Sequence, residues 1–164
     1  PWNPIKSVVS ELGTSEADTV SSIYNSKIIH DFLFDNSDID IMMHLSRRTN
    51  VTYEFWIGNN KLFADWLQIE VDGFFESESS ITSVEVKSIK HDNFEIRQLY
   101  STMMYLRKCV NEKKIPSQYK LKHLFVVESE EKSKKLYRLY EYHFKDWRQM
   151  DSIELVKNAQ YNIV

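Results

Sequence analysis

The chain has 164 residues, of which 42% are apolar, enough for one domain with a hydrophobic core. Its single cysteine, Cys109, excludes an internal disulfide and a four-thiolate zinc site, and no apolar run approaches the roughly 20 residues that span a bilayer. The net charge of −3 is unevenly divided, because residues 1–86 carry 5 Lys and Arg against 14 Asp and Glu, while residues 87–164 carry 16 against 10. We therefore expect one cytoplasmic domain over residues 1–164 without a membrane partner. The acidic half is suited to binding a metal ion and the basic half to binding a polyanion. An uneven charge distribution without any function would give a similar pattern.

The acidic half begins with two predicted helices. Thr14 or Ser15 can cap a helix over residues 16–33, whose apolar residues recur at the spacing of one buried face. Ser37 can cap a shorter helix that ends at Arg48. The chain is thus expected to open with two consecutive helices.

Three strands are predicted to follow. They cover residues 51–57, 66–76 and 81–89, with turns at 58–60 and 77–80. In the second strand Asp72 belongs to the polar face, and in the third Glu85 and Lys87 point away from the valines between and beside them. Two neighbouring strands are therefore expected to carry charged faces.

The basic half is predicted to start with a helix over residues 94–112. Asp92 and Glu95 resemble a capping box at its beginning, and its apolar residues form a core stripe. The remaining predicted elements are strands at 121–127 and 136–144, a charged solvent loop at 128–135 and a short element at 152–156. The fold class expected from this order is mixed α/β.

Asp72, Glu85 and Lys87 are the residues whose spacing indicates chemistry. A hairpin between their strands would bring both carboxylates and the amine to one sheet face. Mg²⁺ prefers oxygen ligands and keeps several waters, so two carboxylates suffice once a phosphate oxygen completes the shell. Lys87 would then steady the attacking hydroxide or the growing charge on the phosphorane. The alternative is an amphipathic sheet whose polar face happens to carry these charges.

The segments that carry a family resemblance are IEVDGFF around Asp72, ITSVEVKSIK around Glu85 and Lys87, and FEIRQLYSTMMYL, which contains Gln98. In these residues the chain resembles the PD-(D/E)xK nuclease superfamily, and within it the catalytic domains of type II restriction endonucleases. The later segment LYRLYEYHFKDWRQMDSIELVK resembles the end of certain restriction-enzyme nuclease domains, so the resemblance extends over residues 15–164. The chain departs from the motif at Val71, which stands where the motif's name has proline.

The resemblance implies a restriction-endonuclease-like core, with a mixed β-sheet flanked by helices, that hydrolyses phosphodiester bonds of double-stranded DNA. It implies Asp72, Glu85, Lys87 and Gln98 as catalytic residues, with Mg²⁺ as the cofactor and Mn²⁺ as its substitute. Glu16 corresponds to a glutamate that family members often add to the metal ligands Asp72 and Glu85, although a helix N-terminal acid favoured by the dipole is equally expected there. A bacterial or archaeal cytoplasm and a homodimer on a palindromic target follow from the same resemblance.

The expected DNA contacts include Arg47, Arg48 and Arg97, because cations grip phosphate. Glu70 stays open as a further metal ligand or as the partner of a lysine, and Lys90 as a substitute for the site lysine. The five histidines lack the spacing of helical zinc ligands, so a histidine metal site is not expected.

Two other functions stay open at this point. One is a repair or junction nuclease of the same fold, and the other is a non-catalytic DNA-binding or interaction domain on a nuclease-like scaffold. Because the chain opens on Pro1 rather than methionine, we also expect a processed product or a fragment of a longer protein.

Overall fold

The computed structural model describes residue 5 and residues 15–88, 95–131 and 134–163. In chain order the elements are α1 (Glu16–Asn25), α2 (Ile28–Phe34), β1 (Met42–Ile57), β2 (Asn60–Glu76), β3 (Ser80–Ser88), α3 (Ile96–Asn111), β4 (Lys120–Glu131), β5 (Lys134–Phe144), a 3₁₀ turn (Met150–Ser152) and β6 (Ile153–Ile163). The expected mixed α/β class is confirmed. Within the described ranges, no helix has the length and apolar character to cross a membrane.

The six strands lie in one sheet in the order of the sequence, from β1 to β6. Neighbouring strands are antiparallel except β3 and β4, which are parallel. A parallel pair needs a crossover connection, and α3 lies in the segment that supplies it. The helix that carries Gln98 therefore follows the strand that carries Glu85 and Lys87.

Strands β1 and β2 form a long hairpin that extends beyond the shared sheet. They pair along almost their whole length, whereas β2 pairs with β3 only from Gly73 to Glu76. Residues 60–72 of β2 therefore separate from β3 and continue with β1 alone. This separation creates the space in which the charged side chains meet.

Two apolar clusters hold the helices to the sheet. Helices α1 and α2 bury residues such as Val20 and Ile29 against β3, β4 and β5. Helix α3 buries Tyr100 and Met103 against the hairpin. Each large apolar side chain that is fully buried contributes about 1.5–3 kcal/mol, so the two clusters fix where α1 and α3 sit relative to the strands.

The first predicted helix is wrong as a single element, although its beginning is correct. Of the two predicted caps, Thr14 and Ser15, it is Ser15 that caps α1, and it does so in a capping box with Asp18. The helix then breaks after Asn25, where the Ser26 hydroxyl donates to the carbonyl of Ser22 at 2.7 Å and Lys27 takes a left-handed φ of 64°. A hydroxyl that bonds to the preceding turn competes with the continuing helix, and the left-handed residue ends it.

The predicted helix from Ser37 to Arg48 is also wrong, because residues 42–48 belong to β1. Cross-strand partners decide the conformation there. The imidazole of His44 lies 2.8 Å from the Glu76 carboxylate, and Arg48 lies 2.8 Å from Glu70. Long-range pairing of this kind overrides the local helical pattern.

Two further predictions in the basic half are wrong. The predicted loop at 128–135 is largely strand, since β4 continues to Glu131 and β5 starts at Lys134. The charges pair across the two strands, with Glu128 at 3.2 Å from Lys135. The short element at 152–156 is the start of β6, which continues to Ile163 because it pairs with β5 along its length.

Candidate active site

The candidate site lies where β2 and β3 stop pairing. Their last paired residues are Gly73 and Val84, and Asp72 and Glu85 are the next residues on each strand. Beyond that point the Asp72 carboxylate replaces the missing strand partner, accepting a hydrogen bond from the backbone N–H of Val86 at 2.7 Å. Asp72 and Glu85 are 7% and 5% exposed, so two carboxylates are largely buried at the point where β2 and β3 separate.

Lys87 lies between the carboxylates of Glu85 and Glu16. Its Nζ lies 2.7 Å from Oε1 of Glu85 and 3.9 Å from Oε1 of Glu16 at the start of α1. The side chains of Lys87 and Glu16 are 19% and 55% exposed, so the cluster opens to solvent on the side of Glu16. The structure thus brings together Asp72, Glu85, Lys87 and Glu16, which the sequence spread over 72 positions.

A glycine lets α1 come close enough for Glu16 to reach the cluster. A Cβ on Gly73 would lie 2.9 Å from Cγ1 of Val20 and 3.2 Å from the backbone oxygen of His44. The absence of a side chain at Gly73 therefore permits the close approach of α1 to β2.

A second contact ties α1 to the sheet. The hydroxyl of Thr19 donates to the carboxylate of Glu128 on β4, whose other oxygen pairs with Lys135. Thr19 lies one turn after Glu16, so this contact holds the first turn of α1 over the ends of β3 and β4. Glu16 is thereby kept beside Lys87.

Burial dominates the electrostatics of the two carboxyl groups. It raises the pKa of Asp72 to about 6, assisted by the negative charges of Glu16 and Glu70 and opposed by the Val86 N–H and by Lys87. Burial, together with the charge of Asp72, raises the pKa of Glu85 to about 7, against the effect of Lys87. The ionised form of each group is therefore destabilised in the folded protein, and a nearby cation would reduce this destabilisation.

The pKa of Lys87 moves in the direction that keeps its charge. Burial works to lower this pKa, but the hydrogen bond to Glu85 and the charges of Glu85, Glu16 and Asp72 together raise it. Lys87 is therefore a protonated donor near neutral pH. It is not poised to act as a base.

The donor set fits a hard divalent cation. In the described ranges no three His, Cys, Asp or Glu side chains form a group arranged to hold a metal ion. Mg²⁺ does not require such a group, because it is commonly bound by one or two carboxylates together with waters and substrate phosphates. Asp72 and Glu85 supply two buried carboxylates, and burial is the main reason why the pKa of each is raised. A divalent cation between them would offset that cost of burial.

Gln98 lies beside this cluster and not within it. It lines a cavity of about 220 Å³ together with Glu70 and Arg97, and its buried Oε1 has no hydrogen-bond partner. Among the described residues, no hydrogen bond links Gln98 to Asp72 or Glu85. Its amide oxygen is therefore an unused acceptor in the first turn of α3.

The expected DNA-binding cations are mostly engaged with other side chains. Arg48 pairs with Glu70 at 2.8 Å, so Glu70 does not use Lys87 as its partner. Arg97 lies 3.9 Å from Glu95. Arg47 donates to the hydroxyl of Tyr105 at 3.1 Å. Lys90, the possible substitute for the site lysine, and Asp92, the predicted helix cap, lie outside the described residues.

The sequence analysis did not identify three residues that shape the site, namely Gly73, Thr19 and Glu128. Gly73 directly follows Asp72 inside a strand, and an isolated glycine in a strand is a recognised sign of close backbone approach. The contact between Thr19 and Glu128 joins residues 109 positions apart, and no local pattern indicates it.

These observations define a mixed α/β protein that carries two buried carboxylates and a charged lysine where two strands diverge. The chain belongs to the family described as domain of unknown function DUF6997, whose match covers residues 3–162. No curated protein and no solved structure gives a significant match to the chain.

Proposed function

We propose that this protein is a Mg²⁺-dependent endodeoxyribonuclease that hydrolyses phosphodiester bonds of double-stranded DNA. The observation that carries the proposal is the convergence of Asp72, Glu85 and Lys87 at one point of the sheet, with both carboxylates buried. A protein pays for burying like charges, and such sites are frequently functional. The half-exposed side of the cluster, at Glu16, is where a phosphate could approach.

Asp72 and Glu85 would hold the metal. Glu16 of α1 faces Lys87 at 3.9 Å and is not arranged as a third ligand, so it would have to reorient to join them. A bound divalent cation would supply a Lewis acid for the phosphate and a water of lowered pKa. Mn²⁺, which shares this preference for oxygen ligands, is expected to substitute. The hydrogen bond from the N–H of Val86 fixes one oxygen of Asp72, so this carboxylate is oriented before any ligand arrives.

Lys87 would act as a charge-stabilising donor. Its raised pKa keeps the ammonium protonated, and its contact with Glu85 aims it into the cluster. From there it can donate to the attacking oxygen or to a phosphate oxygen as negative charge develops. Donors placed in this way contribute about 10²–10³-fold to rate in other hydrolases.

The finer parts of the proposal rest on the sequence resemblance. These are a type II restriction enzyme, a restriction-endonuclease-like fold, catalytic assistance from Gln98 and a bacterial or archaeal cytoplasm. The unpartnered oxygen of Gln98 supports its assignment, because it leaves an acceptor available to a water or a DNA group.

The test is cleavage of supercoiled plasmid with Mg²⁺ by wild type, Asp72→Ala and Lys87→Ala, with a chelator control. Lys61→Ala is a matched control, because Lys61 also pairs with a glutamate, Glu54 at 2.7 Å, but lies on the hairpin. We expect metal-dependent cutting by wild type and Lys61→Ala and none by the two site variants.

The pattern of products separates the remaining readings. Discrete fragments would support a sequence-specific restriction enzyme, and nonspecific nicking would favour a repair or junction nuclease. Full activity in Lys87→Ala, or inactivity of the wild-type protein with both metals on many DNA forms, would contradict the proposal and favour a non-catalytic scaffold.

A further inference from the structure

A cavity of about 220 Å³ lies between the edge of β2 and the first two turns of α3, beside the candidate active site. Its walls are formed by residues 67–70 of β2 and by Arg97, Gln98 and Ser101 of α3. Glu70 links the cavity to the site, because its charge is one of those that raise the pKa of Asp72. The Cα atoms of two residues separated by one position on a strand are about 7 Å apart, so a molecule in the cavity would adjoin the candidate metal ligands.

The walls of the cavity are fixed before any ligand binds. The hydroxyl groups of Tyr53 on β1 and Ser101 on α3 share a hydrogen bond of 2.7 Å, which fastens the helix to the hairpin. On the other wall, β2 pairs with β3 only from Gly73 to Glu76. The backbone groups of residues 67–70 that point away from β1 therefore have no partner on β3, and they add hydrogen-bonding capacity to the cavity.

The side-chain amide of Gln98 is the unsatisfied polar group of this cavity. Its Oε1 is buried and has no hydrogen-bond partner. A buried acceptor without a partner destabilises the folded protein, so its presence indicates that a ligand or a water completes the site. Water alone would leave the apolar side chains of Leu67 and Ile69 in contact with it, whereas a ligand with an apolar body would cover them.

The chemistry of the walls selects the occupant. Oε1 of Gln98 requires a hydrogen-bond donor, and a phosphodiester has only acceptors, so the backbone of DNA does not fit here. A nucleobase with an exocyclic amino group does fit, since it offers one N–H to Gln98 and the other to the carboxylate of Glu70. Its planar ring would lie against Leu67 and Ile69. Recognition of the N6 and N7 atoms of adenine by Gln is the common case of such pairing.

Thymine lacks the feature that the walls require. It has a single ring N–H between two carbonyl groups, so satisfying Gln98 would turn a carbonyl oxygen toward Glu70. The size of the cavity also suits a single base, because sites for drug-sized ligands usually have about 300–1,000 Å³. Arg97 on the same wall has a side chain that is 65% exposed and only a long contact of 3.9 Å to Glu95, so it can pair with the phosphate of the same nucleotide.

We propose that this cavity receives one unpaired, amino-bearing base of the DNA substrate and that Gln98 selects it. The inference rests on the proposed nuclease function, because that function brings a DNA strand to Asp72 and Glu85. A base in a duplex is stacked and paired, so it must turn out of the helix to enter the cavity, as bases do in enzymes that act on them. Gln98 then determines which sequence is cut, whereas the sequence resemblance implies that it assists the chemistry.

Binding of single-stranded oligonucleotides measures this selection without cleavage. Fluorescence anisotropy with chelator present would compare short labelled strands of deoxyadenosine, deoxycytidine and thymidine, which carry no cost of unpairing. We expect wild type to bind the two amino-bearing strands about tenfold more tightly than the thymidine strand. Using both a purine and a pyrimidine separates recognition of the amino group from the stronger stacking of a purine.

Two variants test whether the preference arises in the cavity. Gln98→Leu removes the unsatisfied oxygen at similar volume, so it should be no less stable than wild type, and its preference should fall below about twofold. Leu67→Trp keeps the amide but fills the cavity, and it should lose the preference as well. Gln118→Leu is the matched control, because Gln118 is exposed between α3 and β4, and it should keep the preference. Circular dichroism checks that each variant is folded.

Cleavage distinguishes selection of a base from a role of Gln98 in the chemistry alone. The ends produced from a mixed-sequence duplex with Mg²⁺ would be sequenced for wild type and Gln98→Leu. If Gln98 selects the base, the order of preferred cut sites changes in the variant, and amino-bearing bases lose their enrichment at one position near the cut. If Gln98 acts only in the chemistry, all sites slow by the same factor, and this result would overturn the proposal.

Failure of this inference can be told apart from failure of the nuclease proposal. Equal affinity of wild type for the three strands would refute the cavity as a base site, as would a preference that survives in both Gln98→Leu and Leu67→Trp. Metal-dependent cleavage without any base preference would refute the cavity and leave the nuclease intact. A base preference that both variants remove, in a protein that cuts no DNA, would support the cavity and refute the nuclease.

Discussion

Replacing Asp72 with Asn is predicted to stabilise the metal-free protein at mildly alkaline pH while removing the chemistry of the site. Asn is nearly isosteric and keeps a carbonyl oxygen that can accept from the N–H of Val86, as the carboxylate does at 2.7 Å. What it removes is a negative charge that is 7% exposed and close to other carboxylates.

The size of the effect follows from the pKa of Asp72. Burial and the charges of Glu16 and Glu70 raise this pKa from 3.8 to about 6. A carboxyl group whose pKa is raised by folding stabilises the protein below its unfolded-state pKa, and this contribution is lost as the pH rises through the folded-state pKa. About two pKa units at about 1.4 kcal/mol each give a cost of roughly 3 kcal/mol at about pH 8. Since Asp72 also raises the pKa of Glu85, we expect Asp72→Asn to regain about 2–3 kcal/mol.

Urea unfolding of wild type and Asp72→Asn from about pH 3.5 to about pH 8, with chelator present, measures this difference. The gain in unfolding free energy should be absent at the acidic end and complete at the alkaline end. Asp65→Asn is the control, because it removes one charge from an exposed residue that does not act on Asp72 and should change stability by less than about 0.5 kcal/mol. A pH-independent difference, or a variant less stable than wild type at about pH 8, would refute the reasoning.

Two further predictions concern the metal and the approach of α1. Saturating Mg²⁺ or Mn²⁺ should raise the melting temperature of wild type, and a metal concentration of 100 times the dissociation constant corresponds to about 2.7 kcal/mol of stabilisation. The melting temperature of Asp72→Asn should not change. Equal shifts in both proteins would argue against a metal at this site. Gly73→Ala should cost about 1–3 kcal/mol in urea unfolding, because its Cβ would meet Val20 at 2.9 Å. Adding Val20→Ala should recover part of the loss, and if it recovers none, the clash is not the cause.

The sequence was most informative where side chains alternate along strands. Asp72 and the pair Glu85 and Lys87 could be assigned to adjacent strands from two-residue periodicity alone, and the structure brings them together. The periodicity could not reveal that pairing stops at Gly73, which is the feature that lets Asp72 bond to the N–H of Val86.

The failures have a common physical origin in long-range pairing. Residues 42–48 have a helical pattern, yet they form strand because the hairpin supplies cross-strand partners up to 34 positions away, as between Met42 and Glu76. Residues 128–135 look like solvent loop because they are highly charged, yet Glu128 pairs with Lys135 across two strands. The exposed apolar residues at the end of the β1–β2 hairpin, such as Phe63 and Trp66, could not be recognised as exposed from the sequence, since an apolar residue in a strand is ordinarily buried.

The most direct test of the central claim compares cleavage and binding in Lys87→Ala on the same DNA. Lys87 contacts Glu85 and Glu16, and its pKa keeps it charged, so its role should be in the chemistry. The account predicts that single-turnover cleavage with Mg²⁺ falls by about 10²-fold or more while DNA affinity, measured with chelator, changes by less than about threefold. Unchanged cleavage, or a fall in cleavage matched by an equal loss of affinity, would contradict it.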